Sequence, residues 1–424
     1  MSSLADRLRG IVSPGAGSRP ELHATAAPAI LSGDAAADLL GGEWRSARNH
    51  RYLVVDRSYT PGHRHGEVSI ADGLPPAEGW PQLSLLGGSS TGRDLLFVDL
   101  ETTGLAGGAG TYAFLVGCAW FEGGRFRVRQ FFLSSFAAER ALLEEVSEVA
   151  GRAATVVTYN GKTFDLPLIE TRYTVNRVHT PFAEMPHIDM LHPARRLWRR
   201  QEETSRDDEV LASGCRLGTL EQVLLGFERE GDVPGFEIPA RYFRYVHSGD
   251  ARPLGAVLEH NRLDLLSLAM LTARAAQLLD EGAAGAATAR EAFGLGRVYE
   301  RAGMTAAAAA CFSRAADMGP TVRAEALRAS AALLRRARRY EEAAEAWRRL
   351  LEVPACPPGI VREATEALAV HHEHRLRNLL LARSFALRSL QVDGGATRRY
   401  AAEHRLARLD RKLADAPRSG GPLF

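Results

Sequence analysis

Hydrophobic positions in the middle of the chain follow two different periods. Residues 95–98 form a short continuous apolar run, and residues 112–121 and 126–133 are β-rich segments on either side of a two-glycine turn. Residues 137–152 then follow a helical period, and a β-branched run occupies residues 155–157. The pattern predicts a three-stranded meander followed by alternating helices and strands, which is a mixed α/β sheet.

Beyond residue 285 the strand signals end, and alanine-rich helical sequence continues almost to Leu413. Small and large residues recur there at the spacings of a TPR unit, in which small residues let paired helices approach and large ones fill the gap. The first unit contains Leu295, Gly296, Tyr299, Gly303, Ala308, Phe312, Ala315 and Pro320. A second, with Ala343, Trp347 and Leu350, lies one residue off a strict period of about 34 residues. A generic helical bundle is the alternative.

The chain is expected to have four parts. Residues 1–50 are rich in Ala, Gly, Ser and Pro without a sustained period, which indicates a flexible N-terminal segment. Residues 51–93 predict a small strand-containing lead-in, broken by proline and glycine. Residues 94–282 form the α/β domain, and residues 286–415 form the TPR-like helical repeats.

Composition narrows the cellular setting. The 4 cysteines lie far apart without a CxxC pair, so they suggest neither a zinc knuckle nor a disulfide framework, and a reducing cytoplasm fits best. No apolar run reaches the roughly 18 residues of a membrane span, and residues 1–10 are too polar for a secretory signal. We therefore expect a cytoplasmic protein without a membrane partner. The net charge of +2 does not by itself require a nucleic-acid partner, so any basic surface must be local.

The first candidate for chemistry is a pair of acids after the apolar run. Asp99 and Glu101 stand at i and i+2, and strand side chains alternate, so both project from the same face at the end of the strand. Such a pair suits Mg²⁺ or Mn²⁺, which favour carboxylate oxygens. Thr102 and Thr103 supply hydroxyls beside a tight turn at Gly104. The plainer alternative is a solvated strand end.

Two further clusters contain acids on helices. Asp165 follows an Asn-Gly turn signal and lies near the start of a helical run, where it can alternatively serve only to complement the helix N-terminus. His260 and Asp264 stand at i and i+4 on one face of a strongly helical segment. An imidazole beside an acid can take a proton from water, although a surface His–Asp pair is the alternative.

Together and in this order, the three clusters resemble the three motifs of the DEDD superfamily of 3′-5′ exonucleases, in particular the YprB-like branch of ribonuclease H-like proteins. The resemblance spans roughly residues 94–280. Further segments that resemble the family are residues 187–191, 215–221, 234–239 and 260–264. A TPR-like tail after the nuclease domain is also familiar in that branch. The resemblance implies a ribonuclease H-like mixed sheet with flanking helices, followed by an all-α helical repeat domain.

The resemblance also implies roles for individual residues. Asp99, Glu101, Asp165 and Asp264 match the metal-binding acids, and two divalent ions about 3.5–4 Å apart would activate water and stabilise the leaving oxygen. His260 is the candidate general base, because an unperturbed imidazole titrates near 6.5. It departs from the family pattern: it has the residue type of the histidine subclass but stands four residues before the last Asp, the spacing of the tyrosine subclass.

Substrate contacts are expected beside the second cluster. The candidates are Thr102, Thr103, Tyr159, Asn160, Lys162 and Phe164. Residues 195–200 form a basic run with an interleaved Trp that can track a nucleic-acid backbone, although the acids at 202–209 can equally neutralise it. Asp189 is a spare acid near the site.

Three functions remain open from the sequence. The first is an active 3′-5′ exonuclease on a single-stranded DNA or RNA end, with a protein partner on the helical tail. The second is an interaction scaffold that binds nucleic acid without cutting it, since TPR arrays more often bind peptides. The presence of all four acids favours the first. A structure-specific endonuclease is the third, and only it would cut circular substrates.

Overall fold

A computed structural model of the protein describes residues 33–87, 92–104, 108–198, 215–392 and 396–415. Its main element is a mixed sheet of seven strands in the order β1-β2-β7-β6-β5-β8-β9. A separate two-stranded ribbon pairs β3 with β4. The strands are β1 Glu43–Ala47, β2 His50–Tyr59, β3 Arg64–His65, β4 Val68–Ser69, β5 Leu95–Thr102, β6 Ala113–Glu122, β7 Arg125–Phe132, β8 Thr155–Thr158 and β9 His187–Asp189.

The meander and the crossover strands confirm the predicted α/β organisation. Strands β5, β6 and β7 pair antiparallel, whereas β8 pairs parallel with β5, and β9 parallel with β8. Strand β5 is buried on both faces: Phe97 packs in the core on one side of the sheet and Val98 in the core on the other. Burial on both faces explains why this strand reads as a continuous apolar run rather than as an alternating one.

Helices flank the sheet and then continue alone. Those of the α/β domain are α1 Asp34–Leu40, α2 Glu139–Ala150, α3 Asp165–Val175, α4 Leu191–Leu197, α5 Leu217–Leu220, α6 Ile238–Ser248 and α7 Gly255–Glu281. The C-terminal helices are α8 Ala289–Arg301, α9 Thr305–Met318, α10 Arg323–Arg336, α11 Tyr340–Leu351, α12 Pro358–His374, α13 Leu379–Leu390 and α14 Ala396–Ala414. None of the described helices is both long enough and apolar enough to cross a membrane.

The N-terminal region differs from the expectation. Helix α1 and strand β1 lie within the segment predicted to be flexible, whose residues 1–32 are outside the described part of the chain. Strand β2 is no separate lead-in, because it pairs with β7 from Leu53↔Phe132 to Tyr59↔Phe126 and extends the sheet. Helix α1 and strand β1 have too few turns or residues to show a period. Strand β2 is longer, but its partner β7 lies far along the chain, so a local pattern does not reveal the pairing.

The all-helical C-terminal region is confirmed. The small and large positions of the first proposed repeat do pack together: a Cβ on Gly296 would lie 2.6 Å from Cε1 of Phe312. Leu295, Tyr299 and Phe312 are all buried. Gly296 therefore lets α8 and α9 approach closely, as the repeat pattern predicts, and the identity of the array as TPR repeats stays a prediction.

Candidate active site

Strand β5 carries the first two acids to the edge of the core. Asp99 and Glu101 share the parity of Phe97, so they project from the sheet face that α7 covers. The register of β5 with β6 shifts between Glu101 and Thr102, and such an irregularity bends a strand and re-aims its side chains. The predicted same-face pair is therefore present at the end of the strand.

Asn261 connects the strand acids to helix α7. Its fully buried amide donates from Nδ2 to Oδ2 of Asp99 over 2.7 Å and approaches the Asp99 carbonyl oxygen at 3.1 Å. Its Oδ1 accepts from Nε2 of Gln130 over 2.8 Å. A Cβ on Gly117 would lie 2.3 Å from that same Oδ1. Gly117 therefore leaves the space in which Asn261 orients Asp99.

The second cluster forms a turn pinned by Asp189. The Asp189 carboxylate accepts backbone N–H groups of Asn160 over 2.7 Å, Lys162 over 3.0 Å and Leu191 over 3.1 Å. Asn160 adopts a left-handed backbone with φ 64°. Helix α3 then begins at Asp165, as the sequence predicted. Asp189 is thus the residue that shapes the turn before Asp165, a larger role than that of a spare acid.

Helix α7 carries His260 and Asp264, and the charge of Asp264 acts on Asp99, Glu101 and Asp165. His260 Nε2 lies 3.8 Å from Asp264 Oδ2, and Nδ1 lies 2.7 Å from Asp232 Oδ1. Arg229 donates to Asp264 and to Glu221, and its Nη1 lies 3.1 Å from Asp232. Arg229 Nη1 also lies 3.3 Å from His260 Nδ1. An ionised carboxylate can only accept, so the 2.7 Å contact with Asp232 requires a proton on Nδ1. In the neutral imidazole, Nε2 is then the acceptor.

Sequence reasoning missed four residues of this network: Arg229, Asp232, Asn261 and Glu221. The stretch from residue 226 to 234 has no regular period, so its Arg and Asp gave no signal. Asn261 did give a weak one, since it is a polar residue on an otherwise buried stretch of helix between His260 and Asp264. Asn261 and Arg229 contact the predicted acids Asp99 and Asp264 directly. Asp232 contacts His260, and Glu221 contacts Arg229.

Burial raises the pKa of all four acids, and neighbouring acids add to that rise. Burial and then the charge of Asp264 hold the pKa of Asp99 and that of Glu101 well above their usual ranges. Burial, followed by Asp189 and Asp264, raises the pKa of Asp165 to about 7. Burial also raises the pKa of Asp264, although Arg229 opposes it. Acids from β5, α3 and α7 therefore lie close enough to repel one another.

The donor set suits a hard divalent cation, because clustered carboxylates lose their mutual repulsion when a cation binds them. Among the described residues, no three His, Cys, Asp or Glu side chains are arranged closely enough to hold a metal ion as they stand. Asp264 instead directs one oxygen at Arg229. The fit to a metal thus rests on the chemistry and charge of the acids, not on a preformed coordination shell.

The predicted substrate residues occupy varied settings. Thr102 Oγ1 donates to the Gly104 carbonyl over 3.0 Å, and Thr103 Oγ1 accepts the Tyr112 N–H over 2.9 Å, so both hydroxyls hold the loop after β5. The Tyr159 hydroxyl donates to the Cys215 carbonyl. Lys162 is exposed, and Phe164 is 53% exposed beside Asp165. Phe164 and Lys162 therefore remain the accessible candidates for contacting a base and a phosphate.

Comparison with known proteins agrees with this geometry. Residues 96–276 match the RNase_H_2 family model of the RNase_H superfamily. The chain is also 37% identical over 225 residues to "Uncharacterized protein YprB" of Bacillus subtilis (strain 168), covering 52% of this chain and 52% of that protein. The chain thus spans about half the length of the curated relative that it matches. The fold is ribonuclease H-like: a mixed seven-stranded sheet with flanking helices, followed by an all-helical region.

Proposed function

We propose that the protein is a metal-dependent 3′-5′ exonuclease that hydrolyses phosphodiester bonds at a single-stranded DNA or RNA end. The observation that carries the proposal is the proximity of Asp99, Glu101, Asp165 and Asp264, which come from three separate elements, are buried and lie near charged neighbours. A structural protein gains nothing from four mutually repelling acids, whereas a cation site requires them.

The same four acids would hold two Mg²⁺ or Mn²⁺ ions. When bound, these ions supply the positive charge that activates water and stabilises the leaving oxygen. Asn261 presents Asp99 by its 2.7 Å hydrogen bond. Release of Asp264 from Arg229 would free the oxygen that now accepts the guanidinium. The chain's own contribution is therefore to position and desolvate the acids.

His260 is proposed as the general base. Its Nδ1–H donates to Asp232 over 2.7 Å, which keeps the lone pair on Nε2, the ring atom nearer to Asp264. A carboxylate behind an imidazole stabilises the cation that forms when Nε2 takes a proton. His260 stands one residue closer to the last Asp than in the histidine subclass. We propose that Asp232, from the loop before α6, fixes the orientation of its ring in that position.

Digestion of 5′-labelled single-stranded DNA and RNA with Mg²⁺ or Mn²⁺ tests the proposal. We expect a ladder of shortening products that EDTA abolishes and that Asp99→Asn and Asp264→Asn each slow by at least about 100-fold. Asp38→Asn, at an exposed acid of α1, is the matched control and should cut normally. A circular single strand should survive, and its cleavage would favour the endonuclease alternative.

Binding without hydrolysis under every metal condition would instead favour a non-cutting scaffold. A protein partner for the helical array also stays a proposal, supported by the general use of such arrays to bind peptides.

A further inference from the structure

A cavity lined mainly by arginines lies between the α/β domain and the helical region. It measures about 510 Å³. Arg195 and Arg196 of α4 line one wall, and three arginines of α8 line the other. The remaining lining residues of this arginine cleft are Arg290, Phe293, Gly294, Arg297, Glu300 and Arg301. Among the described residues, the lining thus contains five arginines and one carboxylate.

The one carboxylate does not neutralise the cleft. Glu300 Oε2 lies 2.8 Å from Arg297 Nη1, and its other oxygen pairs with Arg336, which is outside the lining. Burial and the positive charge of Arg301 lower the pKa of Arg196 from its usual value. Among the described residues, Arg195, Arg196 and Arg301 form no ion pair with an acid, so their positive charges repel one another and an anion would relieve that repulsion.

The two walls are held together by close packing. A Cβ on Gly294 would lie 2.2 Å from the Arg196 carbonyl oxygen, so only glycine permits this approach of α8 to the end of α4. Trp198 Nε1 donates to Glu291 Oε1 over 2.9 Å, and Glu291 also pairs with Arg274 at 3.5 Å. The cleft is therefore a fixed feature of the junction between the domains.

Helix α4 connects the candidate active site with the cleft. Asp189, which pins the turn before Asp165, accepts the N–H of Leu191 at the start of α4, and α4 ends beside the cleft. With 7 residues this helix is about 10 Å long, which sets the scale of the separation between that turn and the cleft. The charge of Arg195 also reaches Tyr159, where it opposes the rise in pKa that burial causes.

We propose that the arginine cleft binds the phosphodiester backbone of the single strand whose end lies in the active site. The inference rests on the proposed nuclease function and assigns it a second, remote contact. Guanidinium groups suit phosphate because they form two parallel hydrogen bonds. Half-buried Phe293 adds an aromatic surface among these groups, the combination typical of single-strand binding. Of the basic run noted in the sequence, Arg199 and Arg200 lie outside the described residues.

The test compares two double variants of the full chain. Arg195→Ala/Arg301→Ala removes one exposed arginine from each wall. Arg335→Ala/Arg388→Ala removes the same charge from exposed positions of α10 and α13 outside the lining. Fluorescence anisotropy in EDTA, without hydrolysis, measures binding of labelled oligonucleotides of about 16 nucleotides and of about 2 nucleotides, as DNA and as RNA. The shorter strand is too short to occupy the active site and the cleft together.

For the long strands, we expect the cleft variant to raise the Kd by about tenfold. It should also reduce the slope of log Kd against log salt by about 1.4, or about 0.7 for each lost phosphate contact. The short strands and the control variant should change less than about twofold. Arg195→Lys/Arg301→Lys should restore most of the salt slope, because it keeps the charge. The DNA and RNA arms show which sugar the cleft accepts.

Three results would overturn the inference: equal loss in the cleft and control variants, loss that does not depend on strand length, or displacement of the long strand by an acidic peptide at lower concentration than by unlabelled oligonucleotide. Failure of the nuclease proposal can be distinguished from failure of the cleft proposal, because digestion and binding are measured separately. In that case the wild type cuts nothing with Mg²⁺ or Mn²⁺, yet the length-dependent binding in EDTA and its loss in the cleft variant persist.

Discussion

Replacing Asp165 with Asn should stabilise the metal-free protein above neutral pH. Burial, with Asp189 and Asp264 behind it, raises the folded pKa of Asp165 from 3.8 to about 7. A carboxyl group with a raised folded pKa contributes stability below its unfolded pKa and loses it as the pH rises through the folded value. Asp165 therefore destabilises the fold progressively between about pH 4 and pH 7, and fully above pH 7.

The magnitude follows from the two pKa values. A rise from 3.8 to about 7 corresponds to about 4 kcal/mol, at about 1.4 kcal/mol for each tenfold change in proton affinity. Asn removes the charge but keeps a polar side chain that is partly desolvated, so we expect about half of this gain, roughly 2 kcal/mol at pH 8. In a domain of roughly 150–250 residues that is roughly 4–8 °C in the melting temperature of the α/β domain.

Thermal unfolding at pH 5 and pH 8 in EDTA measures the effect. The Asn variant should melt close to wild type at pH 5 and above it at pH 8. Adding Mg²⁺ or Mn²⁺ at pH 8 should reverse the order, because only the ionised wild-type carboxylate binds the cation. The exposed Asp38→Asn is again the control. An Asn variant that is less stable than wild type at pH 8 in EDTA would refute the electrostatic reasoning.

Three further predictions concern the residues that position the acids. Gly117→Ala places a methyl group 2.3 Å from Asn261 Oδ1. It should lower the free energy of unfolding in urea by about 1–3 kcal/mol and should lower kcat. An unchanged kcat would show that Asn261 does not orient Asp99. Asp232→Asn removes the charged partner of His260 Nδ1 and should lower kcat about 10- to 100-fold with little change in KM. A pure KM effect would contradict this. Asp189→Ala leaves three backbone N–H groups without their acceptor. It should lower the free energy of unfolding, measured in urea, by about 2–3 kcal/mol. Unchanged stability would mean that the turn forms without this carboxylate.

The local pattern of the chain determined the elements and the four acids. The side-chain period and the turn signals predict strand β5, its same-face acids and the helix start at Asp165. Both signals involve residues that are close along the chain, so they can be read from the sequence alone. The all-helical tail follows likewise from a long, repeated pattern. The sequence did not predict helix α1, strand β1 or the pairing of β2 with the distant β7. Tertiary contacts stabilise these features, and such contacts leave no local pattern.

Only the tertiary structure decided which groups surround those acids. Arg229 and Asp232 stand in an aperiodic loop, and they reach Asp264 and His260 because the chain folds that loop against α7. The arginine cleft joins side chains of α4 and α8, about a hundred residues apart, through the close approach that Gly294 permits. Period and spacing describe the neighbours of a residue along the chain, whereas charge and burial depend on neighbours in space, which packing alone selects.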